Sequence, residues 1–98
     1  MVQSRTVKLS AYTKRFSPTE RAAFALHCGT TLAHLNNVQY GLRTASAALT
    51  KQIAIRTGNE VREWELRPAD WHLIWPELIG AEGAPAVPSE QQEVRDAA

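Results

Sequence analysis

Residues 21–41 read RAAFALHCGTTLAHLNNVQYG, and this stretch decides the fold. Two short segments with helical apolar spacing flank Gly29, and each fixed position has a steric reason. Ala25, four residues before Gly29, is small enough to let a second helix cross close to the first. Glycine permits the left-handed backbone of a tight turn, and Leu35 and Val38, six and nine residues after it, pin the second helix to a core. Gly41 then stops that helix. The stretch reads as a helix-turn-helix whose second helix leaves one face free.

Working outward, Val7 to Phe16 places Leu9, Tyr12 and Phe16 at helical intervals, with Lys8, Lys14 and Arg15 on the other face. Ser17-Pro18-Thr19-Glu20 is a helix start: serine as N-cap, proline at the first position and glutamate at the third, the pattern of a capping box. The second helix is therefore expected from about Pro18 to just before Gly29, with Phe24 and Cys28 facing the core. Thr30 or Thr31 caps the third, which runs to about Tyr40. Ser46 caps a fourth, in which Leu49 and Ile53 lie one turn apart and Gly58 supplies the stop.

From Val61 the pattern changes. Trp64, Trp71 and Trp75, all three tryptophans of the chain, lie close together with Leu66, Ile74 and Leu78 and need something to bury them. Val61 to Leu66 reads as a short helix, Arg67-Pro68 breaks it, and Asp70 caps a turn starting at Trp71. Two readings of this segment stay open: a hydrophobic lid folded over the four-helix core, or a surface that binds an identical neighbour. Beyond Gly80 the sequence is small, polar and proline-containing. The expected organisation is one all-α domain of four to five helices over residues 1–78, with the motif at 21–41 and a tryptophan-rich extension at 61–78, followed by a disordered tail over 79–98.

With 98 residues and 44% apolar content, the chain can build one small core and not two. The single Cys28 cannot form an internal disulfide, no charged-then-apolar leader opens the sequence, and no apolar run approaches the roughly 20 residues that span a bilayer. A cytoplasmic protein without a membrane role is expected. The net charge of +1 is less informative than its distribution: residues 1–58 hold eight Lys and Arg against one acid, a net of +7, and residues 59–98 hold three against nine, a net of −6. The basic half is the half with the motif, which favours a nucleic-acid partner.

At roughly 100° per residue, the position opposite the Leu35/Val38 stripe is Ala33, flanked by Asn36 and Asn37, with Leu32 at the border and Thr31 at the helix N-terminus. A carboxamide offers a donor and an acceptor together, the pair that adenine N7 and N6 require in the major groove; Leu32 and Ala33 suit thymine methyls. The competing reading is that the asparagines are merely solvated and that Leu32 packs in the core. His27, His34 and His72 do not make a metal site with Cys28, because neighbours in a helix point to different faces and neither CxxC nor HExxH occurs. A core cysteine has a raised pKa and no access, so no enzymatic activity is expected.

The spacing Ala25-Gly29-Leu35-Val38, closed by Gly41, resembles the helix-turn-helix of lambda-repressor and Cro-like regulators of phages and prophages. Glu65 to Leu78, ELRPADWHLIWPEL, preceded by a helix through Ile53 that ends at Thr57-Gly58 and then by Val61, is similar to the ending of Cro-like and YdaS-type regulators. Together the two cover roughly residues 7–78. The family usually carries Ser or Thr where Arg62 stands, so a cap is missing there. The resemblance implies a sequence-specific transcriptional regulator that binds a palindromic operator in double-stranded DNA as a homodimer, without a cofactor. It places Thr31, Leu32, Ala33, Asn36 and Asn37 against bases and Arg21, Thr30 and Arg43 against phosphates, aided by the backbone N–H groups at the helix N-termini. Two alternatives stand beside it: a YdaS-type antitoxin-like protein that also engages a protein partner, and a protein-interaction module without DNA binding.

Overall fold

A computed structural model describes residues 6–87, which form six α-helices and one 3-10 turn with no strand among the described residues. The first helix, α1 (Leu9–Thr13), buries Leu9 and Thr13 one turn apart. It is shorter than the Val7–Phe16 periodicity suggests. After Thr13 the chain tightens into a turn, the Phe16 N–H donating to the Thr13 carbonyl at 3.0 Å, and this carries Phe16 against Phe24 with ring centroids 5.6 Å apart. Tyr12 joins both rings, edge-on to Phe16 at 5.4 Å, so the three aromatics close the N-terminal end of the core.

Helix α2 (Pro18–His27) starts as its sequence dictates. The Ser17 hydroxyl accepts from the Glu20 N–H at 3.1 Å, and the Glu20 carboxylate accepts from the Ser17 N–H at 2.8 Å. Its end is set by Gly29, whose φ of +85° lies in the left-handed region that only glycine adopts without strain. That conformation lets the Gly29 N–H reach the Leu26 carbonyl and the Thr30 N–H reach the Ala25 carbonyl, both at 2.9 Å, satisfying acceptors that a helix end otherwise leaves bare. Ala25 is fully buried where the next helix crosses, and α2 packs directly on α3 (Leu32–Gln39).

Helix α3 is capped by Thr31, whose hydroxyl accepts from the His34 N–H at 3.1 Å, and it buries Leu35 and Val38. Helix α4 (Ala47–Arg56) is capped by Ser46 in the same way and buries Leu49, Thr50, Ile53 and Ala54 beneath the α2–α3 pair. Leu9, Phe24, Ala25, Cys28, Leu35, Val38, Ala45, Leu49, Ile53 and Val61 form one continuous core. Burying a large aliphatic side chain contributes roughly 1.5–3 kcal/mol, so this cluster is what holds α3 at a fixed angle.

The tryptophan segment folds back on its own chain. Helix α5 (Glu63–Leu66), helix α6 (Trp71–Ile74) and the 3-10 turn Pro76–Leu78 bring Trp64, Trp71 and Trp75 into a second cluster against Ala47, Leu78 and Ala84. Of the two readings left open by sequence, the lid accounts for the burial of all three rings, at 6%, 1% and 8% exposure. Where the usual Ser or Thr cap is absent, Arg62 makes no cap bond; its guanidinium lies over the Trp64 ring at 4.7 Å and meets Glu63 at 3.2 Å.

Charged groups fasten this lid to α4. Glu63 is 1% exposed, and its carboxylate accepts from Lys51 Nζ at 2.7 Å. Burial pushes the Glu63 carboxyl up, but the Lys51 hydrogen bond, the Glu63 backbone N–H and the Arg62 charge outweigh it and hold the group below its ordinary value. Arg67 donates to both carboxylate oxygens of Asp70, at 3.0 and 2.8 Å, and also to the Ala45 carbonyl just ahead of α4. Of the expected tail over 79–98, residues 79–84 continue in tight turns and Ala84 packs on the tryptophans, while 88–98 lie outside the described residues.

Candidate nucleic-acid interface

The burial of Leu35 and Val38 decides which way α3 faces. Ala33 is exposed and Asn36 and Asn37 are half-buried, on the side away from the core. Leu32 is half-buried at the border, and Thr31 is exposed at the helix start with its hydroxyl engaged by the His34 N–H. All five residues expected to meet bases therefore lie on or beside one accessible strip of α3. Tyr40, 66% exposed, continues that strip. It was not singled out from sequence because it closes the helix, yet positions 33, 36, 37 and 40 follow the i, i+3, i+4, i+7 spacing of one helical face, and that signal alone includes it.

The residues expected at phosphates are placed differently from one another. Arg43 is exposed, on the loop after α3, and its guanidinium makes no side-chain bond among the described residues. The loop is held there because the Leu42 and Arg43 N–H groups both donate to the Asn37 carbonyl, at 2.8 and 3.2 Å. Thr30 is half-buried and its N–H is spent on the Ala25 carbonyl. Arg21 is half-buried, and its Nη2 donates to the carbonyls of Thr13 at 3.3 Å and Phe16 at 3.2 Å. The end of α1 and the turn after it thus occupy part of the guanidinium expected at a phosphate; helical spacing within α2 carries no sign of this, because both partners lie outside that helix.

Helix α1 borders the strip on one side. A cleft of about 290 Å³ opens between Lys8 and Ser10 of the α1 end and Gln39, Gly41, Arg43 and Thr44, with Glu65 also in its lining. A smaller hollow of about 150 Å³ lies among Ser10, Thr13, Lys14, Arg21, Gln39 and Tyr40. Lys8 and Lys14 are exposed, and Lys8, Lys14 and Arg43, none of them in an ion pair among the described residues, rim one flank of α3. The one acid in the cleft, Glu65, accepts from the Thr6 hydroxyl at 2.5 Å.

Cys28 is buried at 4% exposure, and desolvation pushes its thiol up to about 11 despite the nearby Arg56 charge, so it carries no thiolate at neutral pH. Among the described residues no group of three His, Cys, Asp or Glu side chains is placed to hold a metal ion, and no helix is long and apolar enough to cross a membrane. No known protein family and no curated protein matches the chain.

Proposed function

We propose that α2, the Gly29 turn and α3 form a lambda-repressor-like helix-turn-helix, and that the protein is a sequence-specific DNA-binding regulator of the Cro or repressor type. The observation that carries this reading is the division of α3 into two faces: Leu35 and Val38 are buried, while Thr31, Leu32, Ala33, Asn36, Asn37 and Tyr40 are reachable from solvent beside a rim of exposed cations. A major groove about 12 Å wide accepts one helix, carboxamides and small apolar groups suit its base edges, and exposed lysine and arginine suit its phosphates. In this reading Arg43, Lys14 and Lys8 hold the backbone. Arg21 acts mainly by capping α1, and through it sets the position of the rim.

One α3 spans only a few base pairs, so the regulator acts as a homodimer on a two-fold operator with half-sites about one helical turn apart. No cofactor and no catalytic step enter the mechanism, and a cytoplasmic location follows from the partner. Leu73, Ile74 and Ile79, exposed at 57%, 36% and 50% on the outside of the lid, favour a protein contact there, either the second copy or the partner of an antitoxin-like protein. Selection of bound sites from random duplexes tests the proposal. Enrichment of a palindrome supports it; recovery of no preferred sequence, with the protein folded, overturns it.

A further inference from the structure

A chain of side-chain hydrogen bonds runs from the interior to the exposed strip. The Thr13 hydroxyl, on a residue 2% exposed, has two acceptors in reach, Gln39 Oε1 at 2.6 Å and the Ser10 carbonyl at 3.4 Å, and its one hydrogen goes to the much nearer Gln39 oxygen; Gln39 Nε2 then donates to Asn36 Oδ1 at 2.8 Å. The backbone at Thr13 is itself tied down, since its carbonyl accepts from Arg21 Nη2. Each link fixes the next. A Gln39 oxygen that accepts from threonine must turn its NH2 the other way, toward Asn36, and an Asn36 oxygen that accepts from Gln39 must turn its own NH2 away from Gln39.

Direction decides what Asn36 offers. On α3, Gln39 lies on the border next to α1, about 60° around the helix from Asn36, and the exposed apex at Ala33 lies about 60° to the other side. The carboxamide is planar, with oxygen and nitrogen on opposite edges. Its oxygen is drawn back toward α1, so Nδ2 is the edge presented to the open face. Asn36 is then a donor-only probe, not the donor–acceptor pair that reads adenine. Guanine, with N7 and O6 both accepting, is the base edge that matches two N–H donors on one nitrogen; adenine N6 is a donor and would face the NH2 unpaired.

We infer that Gln39, locked by Thr13, is a specificity-determining positioning residue that turns Asn36 into a reader of guanine. This rests on the DNA-binding proposal above. Tyr40 and Ala33, its neighbours on the strip, carry no charged group that competes for the Asn36 nitrogen.

The test is site selection from random duplexes with the full-length protein and three variants, each first checked for a folded circular dichroism melt. Asn36→Ala identifies the base-pair position that Asn36 reads, as the one that loses preference. At that position the wild type is expected to favour guanine over adenine by about tenfold or more. Gln39→Ala frees the Asn36 oxygen, and the preference moves to adenine. Gln39→Glu supplies no donor to that oxygen, and the position moves the same way while the helix keeps a long polar side chain. A wild type that already selects adenine there, or a guanine preference unchanged in both Gln39 variants, overturns the inference while leaving DNA binding intact. An Asn36→Ala variant that relaxes no position does the same. Failure of the wild type to enrich any sequence removes the DNA-binding proposal itself, and this inference with it.

Discussion

The Lys51–Glu63 pair between α4 and the tryptophan lid makes an asymmetric prediction. Lys51 is 40% exposed at its side chain and Glu63 2%, so the two partners fare differently when the other is removed. In Glu63→Gln the lysine swings into water and the charge pairing with Lys51 and Arg62 is lost, at a cost of about 1.5–3 kcal/mol, the range for a hydrogen bond to a charged group. In Lys51→Met the carboxylate stays buried with Arg62 at 3.2 Å as its remaining cation. Breaking a buried pair in this way costs roughly 3–5 kcal/mol; Arg62 reduces that to about 2–4 kcal/mol. The pH dependence separates the two further. In the wild type the Glu63 carboxyl is held below its ordinary value, so its contribution is present above about pH 4.3 and fades as pH falls through the lower folded value. Without Lys51, burial is opposed only by the Glu63 backbone N–H and the Arg62 charge, so the folded value moves up, and the penalty is full at neutral pH and shrinks on acidification. Urea denaturation followed by tryptophan fluorescence at pH 7 and pH 4 measures both. A Lys51→Met penalty that does not shrink at pH 4 would refute the reasoning.

Three further outcomes follow from the same geometry. Leu35→Ala removes a fully buried side chain from the centre of the core and should lower stability by about 2–5 kcal/mol in chemical denaturation; a change within half a kcal/mol would mean that α3 is rotated. Arg43→Ala should reduce the slope of log affinity against log salt by about one unit, the loss of one phosphate contact. Arg21→Ala should leave that slope unchanged while lowering the melting temperature, because its guanidinium caps α1; a drop in slope at Arg21 would return it to the phosphate set.

Local signals carried much of this architecture. Ser17 with Glu20, Thr31, Ser46, Gly29, Gly41 and Gly58 announce helix ends through chemistry confined to a few neighbouring residues, and the helices begin and end there. The face of α3 was legible for the same reason, since Leu35 and Val38 set the buried side at helical spacing. What stayed hidden depends on partners distant in sequence. The early end of α1 reflects a Thr13 that reaches Gln39 and an Arg21 that reaches back to α1, and nothing near residue 13 encodes either. A glutamate reads as surface until Lys51 and Arg62 are seen on either side of it, and Glu63 is among the most buried residues in the chain. Tyr40 differs from these. Its place on the exposed strip was written in the spacing and was masked only by its position at a helix end.

The measurement closest to the central claim is the affinity of wild type and Asn37→Ala for a selected duplex and for a scrambled duplex of equal length and composition. Asn37 is half-buried on the accessible strip, and its side chain makes no hydrogen bond among the described residues, so its loss removes no side-chain hydrogen bond of the fold. The variant should lose about 1–3 kcal/mol on the selected duplex and almost nothing on the scrambled one. Equal losses on both, or none on either, would contradict the assignment of α3 as the helix that reads sequence.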